Sequence, residues 1–325
     1  MRLTSVGRLG SDQVESVLRA AVLAPSTHNT QPWLFRCTPG GIELHADVSR
    51  VLPATDPDQR ELLLSCGAAL FNLRTAIHAL GTHPATVLRP RRDEPTLLAV
   101  VRPFAAHAAD ARYSVLAKAI PHRHTNRQPF RAARVPPAVI ANLRHAAEAE
   151  HAWMPVLDSP QRERLRGLVE QAHEAQLADS AFLAEWRQWT GRANHSRDGV
   201  PVRAAGNDNW ALRDFGEATG PQGHGGPPGE PFIVVLGSFG DDPIDRLRAG
   251  QAMQRLLLTA TAAGLDASFI SQPVEVPSAR RELRQLLGGG LWPQMVLRVG
   301  YGSPATWTPR RPLTEVLLDD RLLSA

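Results

Sequence analysis

Two helical stretches of this chain carry the same glycines and the same apolar positions 183 residues apart (250 − 67 and 264 − 81). In the first, residues 60–80, Leu62, Cys66, Ala69, Leu73, Ile77 and Leu80 share one face, and Gly67 and Gly81 lie 14 positions apart. In the second, residues 244–263, the glycines are Gly250 and Gly264, and Ala252, Leu256 and Ala262 fall where Ala69, Leu73 and Ala79 fall. Upstream, Val14-x-x-x-Leu18-Arg19 aligns with Val139-x-x-x-Leu143-Arg144 at an offset of 125. The two offsets differ by 58 (183 − 125), which places an insertion of that length in the second half, between Leu157 and Pro231. An internal repeat constrains a fold more than any short motif. It predicts two similar halves, with chance similarity as the alternative for patterns this short.

Composition narrows the class. At 325 residues the chain is long enough for about two domain-sized units. Its 36 basic and 32 acidic residues leave a net charge of +4, and Lys118 is the only lysine. An arginine excess accompanies GC-rich coding and also suits anion binding by the guanidinium fork. The arginines form no long tract, so no nucleic-acid partner is expected. Cys37 and Cys66 form neither a C-x-x-C pair nor part of a metal cluster, and no metal is expected. Met1–Gly10 has no apolar signal region, and no run of 18 apolar residues occurs. A cytoplasmic protein with no membrane partner is predicted.

Periodicity predicts a helix over 11–24, with Asp12 and Glu15 as a capping box. Strands Trp33–Cys37 and Ile42–Ala46 flank a Pro39-Gly40-Gly41 turn. Helix 60–80 follows, then strands Thr86–Leu88 and Leu97–Val101 and a helix over 109–119. The second half reads as helix 137–149, strand Trp153–Leu157 and a long helical stretch over 159–190. Strand Phe232–Leu236, helices 244–263 and 278–287, and strand Met295–Gly300 complete it. Gly191 to Gly229 shows no sustained apolar period, and a glycine-rich loop of this kind is either a lid or a surface excursion.

Four segments offer chemistry. Pro25-Ser26-Thr27-His28-Asn29-Thr30-Gln31-Pro32-Trp33 presents amides and hydroxyls between two prolines, which suits a heteroaromatic ring; it also reads as a turn with capping groups. Pro121-His122-Arg123-His124-Thr125-Asn126-Arg127 combines arginines, a hydroxyl and backbone amides, as a phosphate site does, or is a solvated basic loop. Arg310 and Arg311 are a second phosphate contact or an exposed tail. In Leu265–Pro273 a helix ends and an extended segment crosses small residues, and its backbone either approaches a flat ligand or forms a buried strand. No G-x-G-x-x-G, P-loop, G-x-S-x-G or H-E-x-x-H signature is present.

Together these segments resemble the flavin-dependent nitroreductase superfamily, in its fused, Acg-like branch. Ordinary members are homodimers with two flavin sites at the interface. An R-R-S-x-R element holds the phosphate, and a P-S-x-x-N-x-Q-P-W element of the partner lies along the ring. Here the first element stands as Arg123-His124-Thr125-Asn126-Arg127, with histidine and threonine replacing the second arginine and the serine. The second is intact at residues 25–33. The first half lacks the phosphate element and the second half lacks the ring element.

The resemblance implies an α+β, nitroreductase-like fold: two intertwined α-β-α halves forming an intrachain pseudo-dimer. The halves would be 1–120 and 121–325, with a lid insertion over about 158–230. One chain would suffice for one flavin mononucleotide (FMN) site. The implied cofactor-binding set is Arg123, His124, Thr125, Arg127, Pro25, Ser26, Thr27, His28, Asn29, Gln31, Ser271, Gln272, Arg310 and Arg311, with no catalytic side chain. The implied activity is an oxidoreductase passing hydride from NAD(P)H to a small electron-poor acceptor. The alternative is an FMN-sequestering or storage protein whose lid covers the flavin. An oxidative member of the superfamily is a third reading.

Overall fold

In a computed structural model the described residues are 3–106, 110–204, 210, 212, 231–304, 306 and 308–318. The first half runs α1 (Ser11–Ala21), β1 (Trp33–Thr38), β2 (Gly41–Ala46), α2 (Arg60–Ala79), β3 (Thr82–Leu88), β4 (Leu97–Ala106) and α3 (Ala111–Ala119). Next come α4 (Pro137–Glu148), α5 (Ser159–Leu177) and α6 (Ser180–Trp189). The chain continues through β5 (Phe232–Ser238), α7 (Pro243–Ala262), β6 (Asp266–Phe269), α8 (Gln272–Glu275), α9 (Pro277–Leu286), β7 (Trp292–Gly300) and α10 (Leu313–Val316).

All strand pairings within the two sheets are antiparallel. The first sheet has the order β1-β2-β4-β3 and the second β5-β7-β6. Trp153 bridges Gly237 beside β5, so the second sheet repeats the order of the first with a single bridge in place of β1. The strand expected over Trp153–Leu157 is thus reduced to one pair. The expected helix 159–190 is two helices: Asp179 breaks it because its carboxylate accepts hydrogen bonds from the Ala181 and Phe182 amides and caps α6. At α1 the cap is Gly10, whose N–H donates to Gln13 Oε1, while Glu15 pairs with Arg19 instead.

The molecule's centre is the crossing of α2 and α7. Most of α2 is buried, as expected for a helix apolar around most of its circumference. Its length and composition would also suit a membrane span, but 89% of that window is buried within the molecule. At the crossing, a Cβ on Gly67 would collide with the Leu247 carbonyl oxygen, and one on Gly250 with that of Leu64. These contacts are mates, because Leu64 and Leu247 are also 183 positions apart (247 − 64). The helices end alike, on Gly81 (φ +71°) and Gly264 (φ +73°).

One apolar core runs through both halves, joining Val14, Trp33, Leu70 and Leu73 to Leu143, Val234, Leu256 and Leu297. β5 alternates, sending Val234 and Leu236 into this core and Ile233 and Val235 into a second one under α5 and α9. The outer face of the first sheet is charged: Arg36 donates to Glu43 (2.6 Å), which also meets His45 (3.1 Å). The C-terminal tail crosses over, and Leu317 pairs in parallel with Phe35 of β1.

Candidate functional site

The 25–33 loop is held in an unusual backbone. His28, Asn29 and Gln31 all take left-handed φ (49°, 57° and 53°), a conformation that side-chain-bearing residues keep only when their surroundings enforce it. Ser26 Oγ accepts from the Gln31 amide at 2.9 Å. The Asn29 amide donates to the carbonyls of Gly199 (2.9 Å) and Pro309 (3.1 Å). The Gln31 amide donates to the Arg197 carbonyl (2.9 Å), and its oxygen accepts from the Arg311 N–H (2.7 Å). These bonds leave Pro25, Ser26, Thr27 and His28 lining a cleft.

The opposite wall is Glu61, Leu64 and Ser65 of α2 with Met253 of α7; Ser268, Phe269, Ser271 and Met295 add the second sheet's side. Thr125 and Arg127 complete the lining. Thr125 also borders an adjoining cavity lined by Arg123, His124, Thr308 and Arg310. The 123–127 segment is fixed to β6 by a single bridge: Thr125 pairs with Ala267, and the Asn126 N–H donates to the Ala267 carbonyl (2.9 Å). The fully buried Arg298 donates to the Asn126 carbonyl at 2.9 Å.

Among the described residues, the adjoining cavity concentrates positive charge with no carboxylate in its lining. Arg123 is 5% exposed, and its Nε and Nη1 have no hydrogen-bond partner among the described residues. Arg310 donates to Asn29 Oδ1 (3.0 Å) and Thr308 Oγ1 (2.7 Å), while its Nε is unpartnered among the described residues. Burial pushes Arg123 down to about 10; burial and the charge of Arg123 push Arg310 down to about 9. Burial, with Arg123, Arg310 and His122 nearby, pushes His124 down to about 4, so its imidazole is neutral near pH 7. Buried cations without a counter-anion are costly, and such an arrangement is relieved by an anion.

The structure therefore brings together ten of the residues singled out from sequence: Pro25, Ser26, Thr27, His28, Arg123, His124, Thr125, Arg127, Ser271 and Arg310. Four others do not line either cavity. Asn29 and Gln31 are turned into the loop's scaffold, and Gln272 is buried at the start of α8. Arg311 is buried against Asp47 (3.1 Å) and donates to the Glu315 carbonyl (2.6 Å), so it braces the tail instead of extending the cationic cavity.

Glu61 is the titratable site residue that sequence reasoning missed, alongside lining residues such as Leu64, Ser65, Met253, Met295 and Thr308. It is 1% exposed, accepts from Thr27 Oγ1 at 2.7 Å and from Arg60 Nη2 at 2.9 Å, and borders the cleft. Burial, followed by the charge of Glu275, outweighs the opposing pull of Arg60 and pushes its carboxyl up to about 8. Its only sequence signal is an acid in the first turn of an otherwise apolar helix, which ordinarily reads as an N-terminal charge.

Part of the insertion packs on the 25–33 loop and on residues 50–55 that follow β2. The Trp186 ring meets His28 edge-on at 5.1 Å, Glu185 accepts from the Ala54 and Thr55 amides (3.1 and 2.8 Å), and Arg50 binds Asp198 at 2.9 Å. The glycine-rich run at 220–229 lies outside the described residues.

Comparison with known proteins follows this layout. Residues 120–301 match the nitroreductase family, a span that holds the Arg123–Arg127 segment and β6–α8 but neither the 25–33 loop nor Arg310. A Mycobacterium tuberculosis (strain H37Rv) protein named as an NAD(P)H nitroreductase, Rv3131, is 36% identical over 94% of this chain and 91% of its own length. The chain belongs to the nitroreductase family. A second relative from the same organism, named as the NAD(P)H nitroreductase acg, is 32% identical over 94% of this family member and 95% of itself. Among solved structures, an FMN-bound nitroreductase of Bacteroides fragilis is 14% identical and covers 61% of this chain and 93% of its own, with a TM-score of 0.39.

Proposed function

We propose that this nitroreductase-family protein binds one FMN per chain and uses it as an oxidoreductase, taking hydride from NAD(P)H and passing it to a small electron-poor acceptor. The observation that carries the reading is the cationic cavity of Arg123 and Arg310, free of carboxylates among the described residues and joined through Thr125 to a hydroxyl-lined cleft. The donors fit the group: buried guanidinium N–H groups, a neutral imidazole and the Thr125 hydroxyl for a phosphate. For a ring, Ser26, Thr27, Ser268 and Ser271 offer polar groups, and Leu64, Met253 and Met295 offer apolar contact.

Bound FMN would supply hydride transfer; the chain's part is to anchor the phosphate, orient the ring and shape the space for the acceptor. The ring loop comes from the first half and the phosphate segment from the second. Under this reading the halves, 1–120 and 121–325, descend from a duplicated subunit that has kept one of two sites. The matching glycine contacts at the α2–α7 crossing and the shared sheet order support that descent. Two free thiols suit a reducing cytoplasm.

The test of the site is the double variant Arg123→Ala/Arg310→Ala. Charge-assisted hydrogen bonds contribute roughly 1.5–3 kcal/mol each, so the variant should lose FMN on gel filtration where the parent stays yellow. Equal retention would move the phosphate elsewhere.

A second reading, FMN sequestration, is favoured by one observation: the 180–204 part of the insertion is docked on the ring loop, with Trp186 against His28. Anaerobic addition of NAD(P)H separates the two. Bleaching of the flavin band supports turnover; a band that only dithionite bleaches supports sequestration.

A further inference from the structure

The cleft contains an acid as well as polar donors. The charges of Glu275 and Asp56 both act on Glu61, against the pull of Arg60. Asp56 and Glu61 are buried, as is Arg60. Asp56 spends its oxygens on the α2 N-terminus, accepting from the Glu61 and Leu62 amides at 3.0 and 2.8 Å; burial pushes its carboxyl up, and these bonds and Arg60 oppose that only in part. Glu275 accepts from Gln176 Nε2 at 2.6 Å. Arg60 also serves the Gln294 and Val274 carbonyls. Burial and the neighbouring Glu275 and Asp56 charges outweigh Arg60 and favour a proton retained on Glu61. Of the three, Glu61 is the one that borders the cleft. Among the described residues, His28 and Arg127 are the other charged or titratable groups on the cleft wall.

We propose that Glu61 is the acid of this cleft, and that its carboxyl proton is delivered to the electron-poor acceptor as hydride arrives, with a nitro compound as the example. The inference rests on the FMN reading above. In the step, hydride brings two electrons and one hydrogen to the nitro group, and an N–O bond breaks. The Glu61 O–H bond breaks, and a new O–H bond forms on the departing oxygen, which leaves as water instead of hydroxide. The product is the nitroso compound. The Glu61 carboxylate, stabilised by Arg60, takes its next proton from water once the product has left. Thr27 is a positioning residue here, since its hydroxyl holds Glu61 Oε2 toward the cleft wall.

The experiment uses FMN-loaded full-length protein, reduced anaerobically with dithionite and freed of excess reductant. Reoxidation is followed by stopped flow with nitrobenzene and, separately, with ferricyanide, which takes electrons without a proton. The ratio of the two rates isolates the acid. In the parent it should fall above about pH 8. Glu61→Gln should lower the ratio at pH 7 by about 100-fold, the lower end of general-acid effects, and remove its pH dependence. Thr27→Val should lower it in the same direction and serves where Glu61→Gln does not fold. Infrared difference spectra recorded without turnover should show, at pH 7, a protonated-carboxyl band that Glu61→Gln removes. An unchanged ratio, or no such band in the parent, overturns the proposal while FMN is retained. Protein that never holds FMN overturns the cofactor reading itself.

Discussion

At the scale of single residues, the site sets stability against binding. Arg123 has no side-chain acceptor for two of its buried nitrogens among the described residues, so the protein without an anion carries its desolvation cost. Arg123→Met should therefore raise the melting temperature of flavin-free protein by about 2 °C, for a gain of about 1 kcal/mol. The same change should weaken FMN binding by about tenfold or more. With saturating FMN the order of melting temperatures should reverse, and differential scanning calorimetry with and without FMN checks both halves of the claim. Glu61 gives a pH signature. Its carboxyl is raised from 4.5 to about 8, so the fold favours the protonated form. Its stabilising contribution is complete below pH 4.5 and is lost as pH rises to about 8. The stability of Glu61→Gln relative to the parent should grow across that window and level off above it. Chemical denaturation at pH 5, 7 and 9 would expose a flat difference if the carboxyl were ordinary. Residue types in the 25–33 loop were legible as polar, but their directions were not: left-handed backbone at His28, Asn29 and Gln31 decides which side chains reach the cleft.

At the scale of elements, α2 and α7 were legible because apolar positions and terminal glycines define a buried helix without tertiary help. The close packing at their middle was not legible, since Gly67 and Gly250 read only as punctuation. The structure makes them the contact itself, each facing a carbonyl of the other helix. Gly67→Ala gains about 1 kcal/mol of helix propensity, but its Cβ meets rigid backbone, and overpacking costs about 1–3 kcal/mol or more. The net effect should be destabilisation by about 1–2 kcal/mol, matched by Gly250→Ala because its contact is the mate. Equilibrium denaturation of both variants tests this; stabilisation of either would mean the helices sit farther apart. The segments misread from sequence were those in which one side chain decides the backbone. Asp179 splits a continuous helical pattern, and the apolar run after Ala152 forms one bridge instead of a strand.

At the scale of the whole molecule, the family match covers residues 120–301, and this raises the question of whether that part is a self-sufficient unit. The core argues otherwise. Leu64, Leu70 and Leu73 of the first half pack in one cluster with Leu247, Leu256 and Leu297 of the second. The tail reaches back so that Leu318 donates its N–H to the Phe35 carbonyl (2.8 Å). The site is divided in the same way: Arg310 bonds Asn29 across the halves, and Thr27 of the first half faces Ser271 of the second around one cleft. Separating the chain after residue 120 would expose the α2–α7 surface on both pieces, an apolar area too large to remain solvated. Fragments 1–120 and 121–325 expressed alone should therefore aggregate and hold no FMN. Co-expressed, they should form a one-to-one complex that elutes at the parent's size with one FMN. If fragment 121–325 bound FMN alone, the ring loop would be dispensable, and the division of the site between halves would be wrong.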